Sequence, residues 1–449
     1  MQVFDHSTTA HKLAEFITGL SASDIPASAI EMAGRCVLDV ICAAIAGFQT
    51  PAAEAVRGFG STFFPNGPAM IWLSDRKATP AGAAMINAAA ACAQDLDDGH
   101  REAGGHPGAA IIPASLATAE AADADGKRFL AAVVVGYEIG LRISAARDMK
   151  AVDTYSTGRW CGYGAAAAGG WLRGLKKDNL AQALAISGIY APLQSASAYS
   201  RMEHHTKEGI PWATLTGLAA VDLAESGYGG PLDILDHIDH FNADKILDGL
   251  GETWAIAQTY FKPYACCRWL HAPLDCLLDL MNRYNLKADQ IISAEVHTFK
   301  RALNIKNHTH PKSIEGAQYS IPFCLAVAAH EGAAALLPLS ASLLGRLDFS
   351  NWAERISLHF DPEAEALFPG MTKARIVLET CQGRLEGSVD HPFGDPANPM
   401  SVGDLENKFR RIAEMSLSKS RVSAILDGVA SLADNNLAPL LAAVSGAPS

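Results

Sequence analysis

The chain has 449 residues, of which 49% are hydrophobic, 19% are charged and only 7% are aromatic. A chain of this length is expected to form two or three domains with a large core, and its composition excludes a disordered or fibrous protein. The formal net charge of −12 argues against nucleic acid as the main ligand, because that partner normally requires a basic surface.

Targeting signals are absent from the start of the sequence. The first twenty residues contain no basic segment followed by an apolar run, so no signal peptide is expected. The most apolar stretches, around residues 129–135 and 333–344, are too short or too interrupted to span a membrane. The nine cysteines are odd in number and include no CxxC pair, which favours reduced thiols. A cytoplasmic protein without membrane association is therefore predicted.

From residue 10 to about residue 265 the sequence predicts one helix after another. Residues 27–48 carry apolar side chains at helical spacing, which form a single face made of Ile30, Val37, Leu38, Ile41 and Ile45. Residues 127–146, 179–189 and 213–226 repeat this spacing and are separated by glycine and polar residues. We therefore predict a large all-α domain over residues 1–265.

Short segments rich in β-branched residues follow residue 265. They cover residues 291–299, 355–361, 374–381 and 384–389, and Gly383 is expected to form a hairpin turn between the last two. Helical spacing also occurs over residues 269–284 and 319–331, which predicts a smaller α+β domain over residues 266–399. Residues 400–449 return to helical spacing. The expected fold class is therefore mainly α, with a helical domain formed by both chain ends and an inserted α+β domain.

Residues 95–108, DLDDGHREAGGHPG, place three aspartates, two histidines and an arginine between apolar helices. A helix opened by Pro80 leads into this segment, and Pro113 is expected near the start of the next helix. Loops held between packed elements commonly display binding and catalytic groups. Helix capping by the aspartates is one alternative, and a divalent metal site as in an isoprenoid cyclase is another. The metal site is disfavoured because the sequence has no second acidic cluster and few aromatic residues.

Two further segments carry candidate cations. In HHTKEGIPWAT, residues 204–214, Lys207 precedes a predicted helix, whose N-terminus would favour an anion nearby. In TYFKPYACCRWLHAP, residues 259–273, Lys262 and Arg268 fall at the predicted domain boundary, a preferred place for a ligand cleft. An ordinary surface lysine is the alternative for Lys207.

A tyrosine, two cysteines and two histidine pairs give weaker signals. Tyr319 in EGAQYSIPF heads a predicted helix, where a core residue is the alternative to a functional one. The adjacent Cys266 and Cys267 cannot bond comfortably to each other and are interpreted as packing residues. The histidine pairs at 237/240 and 308/310 lack partner ligands and are interpreted as surface or structural residues. The chain contains no GxSxG motif, phosphate-binding glycine loop or dinucleotide fingerprint. Chemistry without a cofactor or metal is therefore expected.

Taken in order, DLDDGH, HPG, KEGIPWA, YFKPYACC and QYSIPF resemble the MmgE/PrpD family, which includes 2-methylcitrate dehydratase, cis-aconitate decarboxylase and iminodisuccinate epimerase. The resemblance extends from the DVICAAIAGF helix to the C-terminal helices. It implies a helical domain with an α+β lid, usually a homodimer, and an active site in the cleft between the domains. It also implies a small polycarboxylate substrate and a carbanion next to a carboxylate.

Five residues match the family's motifs by position. Asp95 resembles the first aspartate of its D-x-D-D motif and His106 the histidine of its H-P motif. Lys207 and Lys262 resemble the two active-site lysines, and Tyr319 resembles the lid tyrosine. The role expected of His106 is proton transfer, because an imidazole titrates near the working pH. Asp95 is expected to orient His106 or a substrate donor, and Lys207 to protonate or stabilise the intermediate. Lys262 is expected to bind a carboxylate and Tyr319 to close the site.

Two positions depart from the family's decarboxylases. Gly99 stands where they tend to carry Thr, and Tyr155–Ser156 stands where they tend to carry His-Pro. These changes remove a hydroxyl and an imidazole, which weakens the expectation of a tricarboxylate substrate. Replacement substrate contacts are expected from the side chains of His100, Arg101, Tyr155 and Arg159.

The predicted function is a cofactor-independent dehydratase or decarboxylase that acts on a small anionic polycarboxylate. An epimerase or isomerase of a dicarboxylate is the first alternative, because it would use the same carbanion chemistry. A non-catalytic carboxylate-binding protein is the second.

Overall fold

The computed structural model describes residues 8–148, 156–192 and 200–448. In chain order its α-helices are Thr9–Gly19 (α1), Ala27–Gly47 (α2), Pro51–Phe63 (α3), Pro80–Ala93 (α4), Gly108–Ala121 (α5), Gly126–Ala145 (α6), Cys161–Leu172 (α7), Lys177–Ile189 (α8), Ile210–Glu225 (α9), Ala243–Leu247 (α10), His271–Arg283 (α11), Lys300–Asn304 (α12), Ile314–Gln318 (α13), Ile321–Glu331 (α14), Leu347–Ala353 (α15), Pro362–Leu367 (α16), Val402–Ala413 (α17), Lys419–Ala430 (α18) and Ala438–Val444 (α19).

The strands are Ala69–Met70 (β1), Lys77–Ala78 (β2), Gly99–His100 (β3), Thr259–Tyr260 (β4), Ile291–Thr298 (β5), Ile356–Phe360 (β6), Ala374–Thr380 (β7) and Gly383–Val389 (β8). Single turns of 3₁₀ helix cover Thr157–Arg159, Ser200–Glu203, Ile234–Asp236, Ala255–Gln258, Arg268–Leu270, Ala288–Gln290, Ala333–Leu336 and Ala341–Leu343. The mainly α fold class with one small sheet region is confirmed.

The long amphipathic helices begin and end close to their predicted bounds. Helix α2, for example, ends one residue before the predicted limit, and α6 is shifted by one residue. Helix α5 begins at Gly108, five residues before Pro113, so that Pro113 lies in its second turn. The loop that begins at Asp95 therefore ends sooner, and His106 lies just before the first turn of α5.

The main sheet has four strands in the order β6-β5-β7-β8. Strands β5 and β6 are parallel, whereas β7 is antiparallel to both β5 and β8. Gly383 follows the tight turn between β7 and β8 with a φ of 109°, a conformation that favours glycine. A second, two-stranded ladder pairs β3 with β4, so that Gly99 lies opposite Tyr260.

Two large apolar cores organise the described chain. The first joins the helices before residue 265 to side chains of α17, α18 and α19, including Leu405, Phe409 and Ile412. The second contains only residues between Tyr264 and Leu378 and lies between the sheet and helices α11 and α14. The domain limits at residues 265 and 399 stay predictions of the sequence. All nine cysteines are free thiols, and no helix in the described ranges has the length and apolarity needed to cross a membrane.

A buried ion pair joins the two ends of the helical region beneath the polar loop. Lys408 of α17 donates to Asp39 Oδ1 of α2 over 2.6 Å, and both side chains are almost fully buried. The same ammonium donates to the backbone oxygen of Leu96 over 3.1 Å. A segment near the C-terminal end of the chain thus fixes the backbone of the loop that begins at Asp95.

Candidate active site

The loop between α4 and α5 is anchored by Asp98. Its Oδ1 accepts from the Gly108 backbone N–H over 3.0 Å, and its Oδ2 accepts from the Tyr137 hydroxyl over 2.5 Å. Burial, together with the nearby Asp39, raises the pKa of Asp98 to about 7. Asp98 therefore ties the end of the loop to the start of α5 and to α6, which leaves Asp95, Asp97 and His106 in fixed positions.

The hydrogen bonds of His106 define which ring nitrogen can exchange a proton. Its Nδ1 lies 2.7 Å from the backbone oxygen of Asp98, which can only accept, so Nδ1 carries a hydrogen. Its backbone N–H donates to Thr157 Oγ1 over 3.0 Å. Nε2 faces Asp95 Oδ1 at 3.6 Å and Glu208 Oε1 at 3.9 Å. Nε2 is consequently the nitrogen that titrates, and it is directed away from the protein backbone.

Opposing charges set the pKa of His106. Burial and the Lys262 ammonium both disfavour the imidazolium, but the carboxylates of Asp97, Glu208 and Asp95 outweigh them and raise the pKa above its ordinary value. The protonated form is thereby more populated at a given pH than in an ordinary histidine. A protonated Nε2 can donate to a carbanion, and a neutral Nε2 can accept a proton from carbon.

Asp95 and Lys262 form a buried ion pair behind His106. Lys262 Nζ donates to Asp95 Oδ1 over 2.8 Å, and the lysine side chain is fully buried. Burial alone would raise the pKa of Asp95, but Lys262, His106 and Lys207 lower it to about 2. The pKa of Lys262 is raised because Asp95 and Asp97 outweigh its burial. Asp95 therefore stays a carboxylate, and Lys262 stays an ammonium.

Lys207 lies three residues before the start of α9, and its ammonium bonds to a neighbouring helix. The ammonium donates to Ala93 O over 2.7 Å and to Gln318 Oε1 over 2.5 Å. Ala93 is the last residue of α4. The C-terminal end of a helix attracts a cation through its free carbonyl groups. Both described partners are neutral oxygens, so neither of them offsets the positive charge of the ammonium.

A small pocket lies at this point. It is lined by Cys92, Asp95, Asp97, His106, Thr206, Lys207, Glu208, Gly209, Ile210 and Tyr319. Four of the five predicted catalytic residues thus meet at one pocket, and Lys262 lies directly behind Asp95 rather than in the lining. Burial raises the pKa of Tyr319, so its phenol stays neutral and can donate a hydrogen bond. The pocket suits a small molecule.

Three of the four predicted substrate contacts, His100, Arg101 and Arg159, are not part of the described lining of this pocket. His100 is buried, and burial lowers its pKa to about 4, so it is neutral. Arg101 lies 3.1 Å from the buried Asp395 carboxylate. Arg159 is half-buried in the 3₁₀ turn that contains Thr157. Tyr155 lies outside the described residues. The binding roles of these four residues stay predictions.

Asp95, Asp97 and His106 also have the spacing of a metal-binding group. One ligand atom from each lies within 4.8 Å of the others. Burial raises the pKa of Asp97, and its Oδ2 has no hydrogen-bond partner among the residues described. Asp95 Oδ2 has no hydrogen-bond partner among the described residues either, because the Lys262 ammonium bonds to Oδ1. The bond to Asp98 O uses Nδ1 of His106 and leaves Nε2 outside it. Asp95 and Asp97 therefore each offer a carboxylate oxygen, and His106 a ring nitrogen, with which a cation could be held.

Comparison with family models decides the classification. The model described as the MmgE/PrpD N-terminal domain matches residues 11–244, and that of the MmgE/PrpD C-terminal domain matches residues 264–434. The chain belongs to the MmgE/PrpD family. The resemblance drawn from its motifs is therefore confirmed.

Curated MmgE/PrpD relatives match nearly the whole chain. Cis-aconitate decarboxylase of Aspergillus terreus is 27% identical, with 97% of this chain and 95% of the relative covered. The cis-aconitate decarboxylase-like protein oryM of Aspergillus oryzae is 26% identical over 97% of both chains. Cis-aconitate decarboxylase of Mus musculus is 24% identical over 95% of this chain and 91% of its own. The chain is an enzyme of the dehydratase and decarboxylase type.

The lack of a side chain at position 99 has a physical reason in this chain. A Cβ atom at position 99 would lie 2.3 Å from both Cζ and Oη of Tyr260, on the paired strand. The Tyr260 ring also lies 4.7 Å from the Arg268 guanidinium, which holds it in place. Tyr260 therefore occupies the space that a larger side chain at position 99 would need.

We expect Gly99→Thr to lower the free energy of unfolding by about 1–3 kcal/mol, as overpacking of a tight interior site usually does. The double variant, Tyr260→Leu with Gly99→Thr, should lose less free energy of unfolding than the two single variants lose in sum, because leucine leaves space for the threonine. Urea unfolding of the four proteins measures this. A Gly99→Thr variant as stable as the wild type would show that Tyr260 does not restrict position 99.

Three residues of the site were not predicted. Glu208 and Asp97 line the pocket. Gln318, the last residue of α13, accepts a hydrogen bond from Lys207. Each lies directly beside or within a predicted motif, which was the available signal. Their side-chain directions depend on contacts between distant segments, such as the bond from Gln318 Nε2 to Gln94 Oε1 over 3.2 Å.

Proposed function

We propose that this enzyme is a cofactor-independent lyase that decarboxylates a small unsaturated polycarboxylate. The single observation that carries the proposal is the arrangement of His106 Nε2 and the Lys207 ammonium on one small pocket. The curated relatives, whose names specify cis-aconitate decarboxylation, favour decarboxylation over dehydration. Cis-aconitate is the first acid to test, and dicarboxylic analogues follow because of the departures at Gly99 and Tyr155.

The reaction needs a cation for binding and a proton for carbon. Lys207 suits the first requirement because its described partners are uncharged, so a substrate carboxylate can displace one of them and form a charge-assisted bond. Tyr319 can donate a hydrogen bond from the other side of the pocket. Fixed donors in a site that excludes water stabilise the negative charge that develops on the substrate.

The proposed bond changes balance without an oxidant or reductant. The bond between carbon and the departing carboxylate breaks, CO₂ leaves, and the electron pair remains on the carbon skeleton next to a carboxylate or double bond. The proton on His106 Nε2 then forms the new C–H bond. The raised pKa of His106 supports this role, because a larger fraction of the imidazole is protonated before each turnover.

Purified enzyme should release CO₂ from cis-aconitate or a close analogue in D₂O, with one deuterium on the product carbon. The same sample treated with EDTA should be equally active if no metal is needed. Deuterium exchange with inversion and without CO₂ would instead indicate an epimerase, and loss of water a dehydratase. Tight binding without turnover across the acid panel would indicate a carboxylate-binding protein.

The rate should depend on pH through His106. Since its folded-state pKa is raised and the protonated form donates to carbon, kcat should be constant at low pH and fall as pH rises through that pKa. The falling limb should therefore lie above ~6.5, the ordinary histidine value. Initial rates between about pH 5.5 and 9, with circular dichroism as a control for folding, measure this. A limb below the ordinary value would contradict the assignment.

We further propose that the enzyme is a homodimer and acts in the cytoplasm, as the family resemblance implies. Light scattering during size-exclusion chromatography tests the first point. A mass equal to two 449-residue chains is expected, and a monomer would exclude the dimer.

A further inference from the structure

Glu208 lies in the pocket beside His106, and only one of its two carboxylate oxygens is bonded to Thr157. Its Oε2 accepts from the Thr157 backbone N–H over 2.9 Å and from the Thr157 hydroxyl. Its Oε1 lies 3.9 Å from His106 Nε2. The side chain is 13% exposed, and that exposure is toward the pocket it lines. A carboxylate oxygen thus faces the titrating nitrogen of His106.

We propose that Glu208 is a second catalytic proton-transfer residue, which shares a proton with His106 and restores it after each turnover. The catalytic part of this inference rests on the proposed function. After Nε2 has given its proton to carbon, a neutral imidazole remains. Glu208, a carboxylate while His106 holds its proton, then takes a proton from water, and this new O–H bond breaks as the Nε2–H bond re-forms.

The surroundings of His106 favour Glu208 for this task over the other described carboxylates. Asp95 also faces Nε2, but its pKa of about 2 in the ion pair with Lys262 leaves it without a proton to give. Asp97 lies 3.8 Å from Nδ1, the nitrogen that is committed to Asp98 O. Lys207 is the remaining charged residue of the pocket lining, and the phenol of Tyr319 is neutral.

The distance between the two groups is compatible with a relay. At 3.9 Å, Nε2 and Oε1 are slightly beyond hydrogen-bond range, and catalytic hydrogen bonds often shorten only when substrate is bound. Thr157 links the groups from behind, because its Oγ1 accepts from the His106 backbone and donates to Glu208. A small movement of Oε1, or one bridging water, completes the path.

Glu208 also has a structural role that the test must separate. Its backbone oxygen accepts from Gly158 N–H over 2.9 Å and from Ser156 Oγ over 2.7 Å. Glu208→Gln keeps these backbone bonds and an oxygen that can accept from Thr157, and it removes only the charge and the exchangeable proton. Glu363→Gln, at an exposed residue paired with Lys373, is the matched control.

With the acid that the wild type decarboxylates, Glu208→Gln should lower kcat by about 10²-fold or more, in the range of acid–base contributions, with KM changed less than about threefold. The falling limb of its pH profile should move to lower pH. In Glu208→Ala, added formate should restore part of the lost rate, which a purely structural residue would not allow. A kcat within about threefold of the control, or an unmoved pH limb, would overturn the proposal.

A second measurement does not depend on the substrate. Titration of ¹³C-labelled histidine, with the His106 signal assigned by its loss in His106→Gln, should give a lower His106 pKa in Glu208→Gln than in the wild type or Glu363→Gln. An equal His106 pKa would overturn proton sharing. A wild type that releases no CO₂ from any acid, but shows this difference, would contradict the proposed reaction and not the coupling.

Discussion

Replacement of His106 by glutamine should lower kcat by about 10²–10⁴-fold with the acid that the wild type decarboxylates, as expected for loss of an acid–base group. The glutamine amide can still donate to Asp98 O, so the loop should keep its conformation. The variant has no group that titrates at the position of Nε2. Steady-state rates across pH, together with a thermal unfolding curve, measure the effect.

The control for His106 is His297→Gln, at a residue in β5 of the main sheet that forms no part of the pocket. It should retain the wild-type rate. A folded His106→Gln enzyme that loses less than about tenfold in kcat would remove His106 from the proton-transfer step, whatever the pH profile.

Replacement of Lys262 by methionine should lower the free energy of unfolding by about 3–5 kcal/mol, the usual cost of removing one partner of a buried ion pair. The change leaves the Asp95 carboxylate buried without its 2.8 Å partner. Asp95→Asn combined with Lys262→Met should recover much of the loss, because no unpaired charge remains. Urea unfolding of both single variants and the double variant gives the interaction energy.

A surface pair provides the comparison for Lys262. Lys77 also lies 2.7 Å from a carboxylate, that of Glu120, but its side chain is 42% exposed, and Lys77→Met should cost no more than about 1 kcal/mol. The pH dependence has a definite sign. The depressed pKa of Asp95 stabilises the fold above the unfolded value of ~3.9 and ceases to do so as pH falls toward 2. Equal losses for both lysine variants would contradict a buried pair.

The sequence predicted the helices well because their core-facing residues repeat at a fixed spacing. It also placed Asp95, His106, Lys207 and Tyr319 in one site, since their motifs occur in the family's order. The direction of the Lys207 side chain was not predictable, because the carbonyl that it bonds belongs to a helix more than one hundred residues away. Local sequence indicates that Lys207 precedes the N-terminus of α9, but only the tertiary structure shows that the C-terminus of α4 meets its ammonium.

The same limit applies to charged residues near the site. Arg101 is part of a polar loop, and nothing in that loop indicates that Asp395 would provide a buried carboxylate 3.1 Å away. Glu208 follows Lys207 directly, but only the position of Thr157 turns its carboxylate toward His106. Side chains whose partners come from distant segments need the three-dimensional structure, however clear their motif is.

The bond from Lys408 to Leu96 has a consequence for the order in which the enzyme is made. The ribosome completes Asp95, His106, Lys207, Lys262 and Tyr319 well before it reaches α17. The backbone beneath Asp95 nevertheless lacks its ammonium until Lys408 has been synthesised and packed against Asp39. A nascent chain therefore carries these five residues before it carries the lysine that bonds to the backbone at Leu96.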